Sequence, residues 1–412
     1  MKSRYFGEVK AVPSKSYAHR LIISACLKKG KTLIKGVGSS DDVIATARCM
    51  NALGASVRLV DGDALVNGII KVNKGVTLDA GESGSTLRFL LPIVTALGAE
   101  ANFICRGKLS SRPNDALISA LNSNGAKVSG LNALGKLKSG NFLIDATISS
   151  QYITGLLFAL PLLDGDSRII FSGAPVSKNY LEITKDVLDL SNVKYLEEEK
   201  GFLIFGNQEY TLLDQVTCEG DWSSAAFMLV AGAIGESVKV SGLNLYSKQG
   251  DKVVLDVIES FGADIVRGKQ SITVTKKKNK PFSVNLENAP DLAPILSVLG
   301  AFAKGESRLY GVERLRIKES DRLSAIIETL NLAKIKASYN GEFLSIIGGE
   351  PKSANFSGYN DHRMVMSAVL LAGLVDGVST VGDKEAVNKS YPTFYEDFKK
   401  IGGKLNVEMV RE

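Results

Sequence analysis

The chain has 412 residues, 45% of them hydrophobic and 23% charged, and its formal net charge is +6. This length is too great for one small hydrophobic core, so we expect two or three domains. The positive charge is modest and dispersed, so it suits anionic ligands without requiring nucleic acid as a partner.

Cysteine and histidine content restricts the chemistry further. The four cysteines show no C-x-x-C spacing and there are only two histidines, so we expect no metal site. A chain of this size without paired cysteines fits a reducing compartment. The first segment, MKSRYFGEVK, lacks the apolar core of a signal peptide, and no apolar stretch is long enough to span a bilayer. We therefore expect a cytoplasmic protein.

One pattern recurs six times in chain order: a polar head, an almost wholly apolar helix, and a short strand that closes on glycine. The copies are residues 14–36, 81–107, 149–173, 220–242, 289–311 and 359–383. The closing glycines are 71, 66, 69, 69 and 71 residues apart: Gly36, Gly107, Gly173, Gly242, Gly311 and Gly382. Between successive copies lies a second helix, which is amphipathic, and then a strand in which apolar and polar residues alternate.

Because helices that are apolar on all sides must be buried, the repeats predict an α/β protein. We expect two lobes, each of three βαβαββ-like units with parallel buried helices whose N-termini face the cleft between the lobes. A single ring of six units is the alternative. The predicted boundary places 13–216 in the first lobe and 217–412 in the second.

The heads of these helices carry cations where acids are usual. The first head, PSKSYAHRL, contains Lys15, Ser16 and Arg20 and no acid. Since a helix N-terminus has partial positive charge, cations beside it indicate an anion held between them and the backbone N–H groups. Capping explains Ser14, Ser149 and Asp221, but it does not explain the cations.

The later heads and linking segments continue the pattern. The head residues are Gly81, Gly84, Ser85 and Arg88; Ser149, Ser150 and Gln151; Asp291; and Asp361, His362 and Arg363. The linking segments add Arg112 in a loop, Lys389 before a turn, and the charged run ERLRIKESDRL at 313–323. That run also fits a salt-bridged helix start on the surface, so its functional interpretation rests on the recurrence of the pattern.

The motifs SKSYAHR, GESGSTLR, SRP, SSQ, VSKNY, PDLAP, RIKESDRL, NDHRM and NKSYP have a characteristic order and spacing. In these motifs the chain resembles the 5-enolpyruvylshikimate-3-phosphate synthase family from end to end. The resemblance implies two lobes of three repeats, with residues 1–12 joining the second lobe. It also implies transfer of enolpyruvyl from phosphoenolpyruvate to the 5-hydroxyl of shikimate 3-phosphate, by a monomer without cofactor or metal, in aromatic amino-acid biosynthesis.

The resemblance implies roles for particular residues. Those expected to contact shikimate 3-phosphate are Lys15, Ser16, Arg20, Ser149, Ser150, Gln151, Ser177 and Lys318. Those expected around phosphoenolpyruvate are Lys15, Gly84, Arg112, Arg322, Arg363 and Lys389, with Arg88 and Tyr180 as supporting residues. Asp291 would accept the proton of the 5-hydroxyl. Glu319 would transfer the proton to and from C3 of phosphoenolpyruvate, with Lys15 as a further candidate. Which group handles which proton stays open.

Two departures and two alternatives accompany the resemblance. Glu82 stands where the family commonly has Asn, and Arg314 stands where an Asn often contacts shikimate 3-phosphate. Glu82 is expected to point away from the substrate or to pair with Arg88. A sister enzyme that uses UDP-N-acetylglucosamine would show Lys-Asn at the first head and a Cys before the RP pair, whereas this chain has Lys15-Ser16 and GKLSSRP. An anion- or nucleic-acid-binding protein is the non-enzymatic alternative.

Overall fold

A computed structural model describes residues 3–405; residues 1–2 and 406–412, which the sequence analysis assigns to the second lobe, lie outside the described residues. In chain order the helices α1 to α12 are Lys15–Leu27, Asp41–Leu53, Gly84–Leu97, Asp115–Asn122, Ser150–Ala159, Lys178–Leu190, Trp222–Ile234, Val254–Phe261, Ala293–Ala301, Arg322–Leu332, His362–Gly373 and Phe394–Lys400. Short 3-10 helices occupy Gly107–Ser111, Leu160–Leu162, Gly250–Val253, Pro290–Leu292, Glu313–Ile317 and Lys384–Lys389.

The strands are short, with two to six residues each. In chain order β1 to β22 are Phe6–Lys10, Lys31–Lys35, Ser56–Val60, Asp63–Asn67, Val76–Gly81, Ala101–Cys105, Ala126–Ser129, Asn132–Gly135, Asn141–Asp145, Ser167–Ser172, Tyr195–Glu198, Gly201–Ile204, Gln215–Thr217, Ser237–Ser241, Asp264–Arg267, Ser271–Thr275, Ser283–Asn285, Glu306–Tyr310, Lys336–Tyr339, Phe343–Ile347, Asn355–Phe356 and Thr380–Val381.

The chain divides into two compact units. The first unit is Pro13–Glu219, and the second comprises the residues up to Val12 and from Gly220 onward. The predicted lobe boundary after residue 216 lies three residues before the end of the first unit. Each unit has its own hydrophobic core.

The first unit contains three sheets of four strands, with the orders β13-β2-β4-β3, β5-β6-β8-β7 and β11-β12-β10-β9. In each sheet one parallel pair joins the strand before an apolar helix to a strand that ends in a closing glycine or its equivalent, and the remaining pairs are antiparallel. The parallel partner of β2 is β13, the last strand of the unit. This pairing explains why the unit runs past residue 216.

The second unit contains the sheets β1-β14-β16-β15 and β17-β18-β20-β19 and the two-stranded sheet β21-β22. Strand β1 pairs in parallel with β14, with Phe6 opposite Ser237 and Lys10 opposite Ser241. The N-terminal strand therefore lies in a sheet of the second unit, although α1 of the first unit follows it directly in the chain.

The first helix of each repeat is buried because it has no polar side. All thirteen residues of α7 are buried, as are residues 17–26 of α1 and all nine residues of α9. Five of these six helices are capped by a side-chain oxygen that accepts a hydrogen bond from a backbone N–H, and α9 has no such cap. The capping residues are Ser14, Ser83, Ser149, Asp221 and Asp361. Among residues 3–405, none of the helices has the length and hydropathy that a membrane span needs.

Two local devices recur in the repeats. Five of the closing glycines have a left-handed backbone, with φ between +55° and +80°, which a side chain would disfavour: Gly36, Gly107, Gly173, Gly242 and Gly311. At the end of three second helices an Asn side chain bonds both backbone groups of a residue six positions later: Asn51 with Val57, Asn122 with Val128, and Asn331 with Ala337. The repeat period therefore reflects shared backbone geometry.

Candidate active site

The cation at the head of α1 has an acidic partner from the next helix. Lys15 Nζ donates to Asp42 Oδ2 at 2.8 Å, and the side chain of Asp42 is 7% exposed. Asp42 lies in the first turn of α2, where a carboxylate is stabilised by the helix dipole. Sequence reasoning noticed the missing acid in the first head and did not find Asp42.

Arg20 lies deeper along α1 and is 2% exposed. Its Nε donates to Thr184 Oγ1 at 2.9 Å, and its terminal nitrogens donate to the backbone oxygens of Ser16 at 2.7 Å and Tyr180 at 3.1 Å. The guanidinium also lies 4.9 Å from the centre of the Phe89 ring. Arg20 thus ties α6 to α1, and its contact with substrate stays a prediction.

Gly84 begins α3 at a point where a side chain would crowd an arginine. A Cβ at Gly84 would lie 2.9 Å from a terminal nitrogen of Arg112, although the backbone of Gly84 is not left-handed. The residue is therefore small because of its neighbour and not because of its own conformation. Glu82 turns toward the loop that carries Arg112: its Oε1 lies 2.6 Å from where a Cβ of Gly107 would be.

Arg88 holds that loop from the other side. Its Nε donates to Asn114 Oδ1 at 3.0 Å, and its terminal nitrogens donate to the carbonyl of Pro113 at 3.1 Å and to Gln151 Oε1 at 2.7 Å. Gln151 Nε2 in turn donates to Ser85 Oγ at 3.0 Å. Because Arg88 is 4% exposed and makes these contacts, it ties Gln151 to the segment that carries Arg112, and its role in the site stays a prediction.

The heads of α5 and α6 bring together the predicted hydroxyl groups. Ser149 Oγ accepts from the backbone N–H of Gln151 at 3.3 Å, and Ser150 is the first residue of α5. Ser177 precedes α6 with a left-handed backbone, φ +53°, and is 5% exposed. A serine in that conformation is strained, which is a feature of functional sites. Tyr180 lies in the first turn of α6.

In the second unit Asp291 forms ion pairs with three cationic side chains. Its Oδ1 accepts from Lys318 Nζ at 3.4 Å and from Arg322 at 2.9 Å, and its Oδ2 pairs with Arg363 at 3.1 Å. Burial would raise the pKa of Asp291, but Arg363, Lys318 and Arg322 hold it well below the usual range. Burial lowers the pKa of Lys318, and the charge of Asp291 opposes that shift.

Arg322 is the centre of a buried ionic network. It is 1% exposed and donates to Asp291 Oδ1 at 2.9 Å, Glu319 Oε2 at 2.7 Å and Asp361 Oδ2 at 2.8 Å. Asp361 is fully buried and also accepts from Ser320 Oγ at 3.0 Å. The run RIKESDRL covers the end of a 3-10 helix, a turn and the start of α10. Its Arg322 points inward, whereas its Arg316 is 49% exposed and pairs with Asp321 at 3.2 Å.

The predicted residue Lys389 and the departure Arg314 each lie on a 3-10 helix of the second unit. Lys389 ends Lys384–Lys389, which packs against α11, the helix that carries Arg363. Arg314 lies in Glu313–Ile317, and burial lowers its pKa while Glu287 and Asp291 oppose the shift. Within the described residues no group of three or more His, Cys, Asp or Glu side chains could hold a metal ion.

Asp251 is an ionisable residue of this region that the sequence analysis missed. It lies in Gly250–Val253 and is 6% exposed. Burial raises its pKa to about 7; the charges of Asp291 and Asp221 add to this shift, while Arg363 and Ser223 oppose it. A carboxyl with such a pKa changes charge close to neutral pH, beside the Asp291 cluster.

We expect Asp251 to make stability depend on pH. Between about pH 4 and pH 7 the folded protein keeps a proton on Asp251 that the unfolded chain has released, so the free energy of unfolding should fall as pH rises. Asp251→Asn should remove this slope and raise the free energy of unfolding at pH 8 by about 2–4 kcal/mol. Urea unfolding at several pH values measures both effects. Asp256→Asn, an exposed carboxylate on α8, should keep the slope; an equal slope in wild type and Asp251→Asn would contradict the assignment.

Comparison with known proteins identifies the family of the chain. A sequence model of EPSP synthase (3-phosphoshikimate 1-carboxyvinyltransferase) matches residues 1–398. The 3-phosphoshikimate 1-carboxyvinyltransferase of Clostridium perfringens is 39% identical over 98% of this chain and 98% of its own length. That of Brachyspira hyodysenteriae is 36% identical, also over 98% of each chain.

Solved structures share the fold. An EPSP synthase from Acinetobacter baumannii has a TM-score of 0.81 at 22% identity, covering 98% of this chain and 97% of its own. The enolpyruvyl transferase NikO from Streptomyces tendae has a TM-score of 0.79 at 16% identity, covering 98% and 96%. These likenesses confirm the predicted α/β class and concern the fold alone. The match of the family over residues 1–398 confirms the resemblance seen in the motifs, and the chain therefore belongs to the EPSP synthase family.

Proposed function

We propose how residues of this chain transfer the enolpyruvyl group of phosphoenolpyruvate to the 5-hydroxyl of shikimate 3-phosphate, the reaction of its family. The 5-oxygen loses its proton and bonds to C2 of phosphoenolpyruvate while C3 gains a proton, which gives a tetrahedral intermediate. C3 then returns a proton as the bond from C2 to the phosphate oxygen breaks. The products are 5-enolpyruvylshikimate 3-phosphate and phosphate, so two anions must be bound and two protons moved.

In the first unit we assign shikimate 3-phosphate to the heads of α1, α5 and α6. Ser149, Ser150, Gln151 and Ser177 bring hydroxyl and amide donors to helix N-termini, which favour phosphate. Tyr180 lies in the first turn of α6, which begins directly after the strained Ser177, and packs against the core of the first unit. Lys15, Ser16 and Arg20 complete the set, with Lys15 reaching phosphoenolpyruvate as well.

We assign phosphoenolpyruvate to Gly84 and Arg112 in the first unit and to Arg322, Arg363 and Lys389 in the second. The close approach of Arg112 to Gly84 supports the first pair, because it brings the guanidinium beside the N-terminus of α3. Arginine forks match carboxylate and phosphate groups in two-point contacts. Lys318 is assigned to shikimate 3-phosphate, and Arg88 to the support of Arg112 and Gln151.

The observation that supports this function best is the Asp291 cluster. Asp291 is ionised, as a base for the 5-hydroxyl must be, and its cations are the residues assigned to the anionic substrates. When substrate oxygens share Lys318 and Arg363, these cations stabilise the carboxylate less, and the pKa of Asp291 rises toward that of an effective base. Glu319, which pairs with Arg322 at 2.7 Å, would transfer the proton to and from C3 of phosphoenolpyruvate, with Lys15 as the other candidate.

A second candidate function is enolpyruvyl transfer to UDP-N-acetylglucosamine, since one fold supports transferases with different acceptors. The residues that favour shikimate 3-phosphate are Lys15-Ser16 at the first head and the loop before Arg112, which has no Cys. Phosphate release from phosphoenolpyruvate with each acceptor decides between them. Release with shikimate 3-phosphate alone supports the proposal, and release with UDP-N-acetylglucosamine alone, or with neither, overturns it.

Gly84→Ala should weaken phosphoenolpyruvate binding and leave the fold intact. Its methyl would meet the Arg112 guanidinium at 2.9 Å and displace it, so the KM for phosphoenolpyruvate should rise about tenfold or more. The KM for shikimate 3-phosphate and the unfolding midpoint should hardly change, because the backbone of Gly84 is not left-handed. Steady-state kinetics with each substrate varied in turn provide the measurement.

The matched control for this variant is Gly300→Ala in α9, where an added methyl meets side chains only at ordinary contact distance, 3.4 Å or more. Both KM values should stay within about twofold of wild type in that variant, which has the same change inside an apolar helix. A Gly84→Ala protein with wild-type KM for phosphoenolpyruvate would remove Gly84 from the proposed site.

We also propose that the chain acts in the cytoplasm as a monomer, on small molecules and without nucleic acid or a membrane. The dispersed charge supports the part of this proposal that concerns nucleic acid. Light scattering of the purified protein at assay concentration tests the oligomeric state: a mass near 44.1 kDa agrees with it, and a multiple of that mass contradicts it.

A further inference from the structure

We propose that Asp79 is a positioning residue for phosphoenolpyruvate, because through Arg106 it sets the position of the loop that carries Arg112 relative to the turn that carries Gly84. The inference rests on the proposed function, which assigns Gly84 and Arg112 to that substrate. Asp79 itself is not expected to touch phosphoenolpyruvate.

Asp79 lies near the end of β5 and makes contacts in three directions. Its carboxylate accepts both terminal nitrogens of Arg106, at 3.0 and 2.9 Å, and the backbone N–H of Gly81 at 3.0 Å. Its backbone oxygen accepts from Arg48 of α2, at 2.8 and 3.2 Å. The ladder between β5 and β6 shifts register between Asp79 and Gly81, and Gly81 is left-handed with φ +56°. Asp79 therefore holds an irregular turn directly before α3.

Other repeats show which of these contacts the turn itself needs. At the end of β9, Asp145 Oδ1 accepts the N–H of Thr147 at 3.0 Å, and at the end of β17, Asn285 Oδ1 accepts the N–H of Glu287 at 2.9 Å. All three residues thus close the same turn onto the residue two positions later. Because Asn285 does so with an amide oxygen, the negative charge of Asp79 is not needed for the turn. The charge instead pairs with Arg106 at 2.9 Å and, more distantly, with Arg48 at 3.4 Å.

Arg106 belongs to the segment that leads to Arg112. Its backbone N–H donates to the carbonyl of Gly81 at 2.7 Å, and it precedes the 3-10 helix Gly107–Ser111. The Asp79–Arg106 pair therefore joins the end of β5 to the start of this helix. One segment leads to Gly84 and the other to Arg112, whose terminal nitrogen comes within 2.9 Å of the Gly84 Cβ position.

Exposure indicates that the pair serves position more than stability. The side chains of Arg106 and Asp79 are 58% and 24% exposed, and exposed ion pairs contribute little to folding. Burial would raise the pKa of Asp79, but hydrogen bonds from Arg106 and Gly81 hold it below the usual range, so the carboxylate is ionised at neutral pH. A small displacement of a binding group can nevertheless lower activity strongly.

The test uses Asp79→Asn, Arg106→Gln and the double variant in the phosphate-release assay with shikimate 3-phosphate. Asn at position 79 keeps an oxygen for the Gly81 N–H and removes only the charge. We expect each single variant to raise the KM for phosphoenolpyruvate about tenfold. The double variant should raise it no further, because both changes remove one interaction. The KM for shikimate 3-phosphate and the unfolding midpoint should stay near wild type.

Asp145→Asn is the matched control, since it makes the same substitution in the same turn of another repeat; both of its KM values should stay within about twofold of wild type. An unchanged KM for phosphoenolpyruvate in Asp79→Asn would overturn the inference. So would equal increases in both KM values together with a lower unfolding midpoint, which would indicate a structural role. If wild-type protein releases no phosphate, the proposed function fails instead, and the two failures are thereby distinguished.

Discussion

Lys15→Met should lower kcat by about 10³-fold, the upper range for loss of one group that stabilises a transition-state charge. Lys15 lies at the head of α1, beside backbone N–H groups and 2.8 Å from Asp42. In the proposed site it contacts both substrates, so its charge acts where the C2–O bond breaks and phosphate takes up negative charge. Single-turnover phosphate release at saturating concentrations of both substrates measures this loss without a contribution from substrate affinity.

Lys15→Met should also lower the stability of the protein, because Lys15 pairs with Asp42. With Lys15 gone, a carboxylate that is only 7% exposed loses its cation, which destabilises the protein. The double variant Lys15→Met with Asp42→Asn removes that unpaired charge and should recover the wild-type unfolding midpoint. It should not recover kcat. Recovery of both would show that Lys15 acts through stability alone.

Lys28→Met is the control for the loss of a paired lysine near the same helix. Lys28 follows the C-terminus of α1 and pairs with Asp214 at 2.6 Å, and its side chain is 11% exposed. Since no substrate role is assigned to it, kcat should stay within about twofold of wild type. A comparable loss of kcat in both variants would contradict a specific role for Lys15.

Arg322→Met should lower the free energy of unfolding by about 3–5 kcal/mol, the cost of breaking a buried ion pair from one side. The guanidinium contacts three carboxylates, and one of them, Asp361, is fully buried and caps α11. Burial would lower the pKa of Arg322, but Asp361, Glu319 and Asp291 raise it above the ordinary value, so the cation is present at every working pH. Urea unfolding at pH 7 measures the change.

Two further variants distinguish a role of Arg322 in the buried ionic network from a role in substrate binding: Arg308→Met and Arg322→Lys. Arg308 pairs with Glu306 in an exposed position, so its loss should hardly move the unfolding midpoint. Arg322→Lys keeps the positive charge but loses the planar guanidinium that contacts three carboxylates. Its unfolding midpoint should lie between those of wild type and Arg322→Met. A wild-type midpoint for Arg322→Met, together with a raised KM for phosphoenolpyruvate, would assign Arg322 to substrate binding and not to the network.

The repeat architecture and the polar heads could be predicted because they depend on local sequence. The 66- to 71-residue spacing reflects, at five of the six closing glycines, a left-handed backbone at the end of a strand, which glycine adopts without strain. The apolar helices had to be buried whatever their neighbours were. The motifs then indicated the family, which the comparisons confirm.

Side-chain partners could not be predicted in the same way, although the chain contains a signal for some of them. Lys15 and Asp42 are 27 residues apart, and so are Asp291 and Lys318. The backbone N–H of Trp222 also donates to the Gln249 side chain, again 27 residues away. In these three repeats this separation brings the head of the first helix to the start of the next segment. Comparing the repeats at this offset could have found Asp42.

The sequence by itself determined the class of fold, the number of repeats and the family, because hydrophobic periodicity, glycine positions and motif order are properties of the chain. Only the tertiary structure decided that Arg322 is buried among three carboxylates, that Asp79 pairs with Arg106 and that Asp251 titrates near neutral pH. Charge interactions depend on distance and on burial together. Both quantities arise only when strands and helices distant in the chain pack into one core.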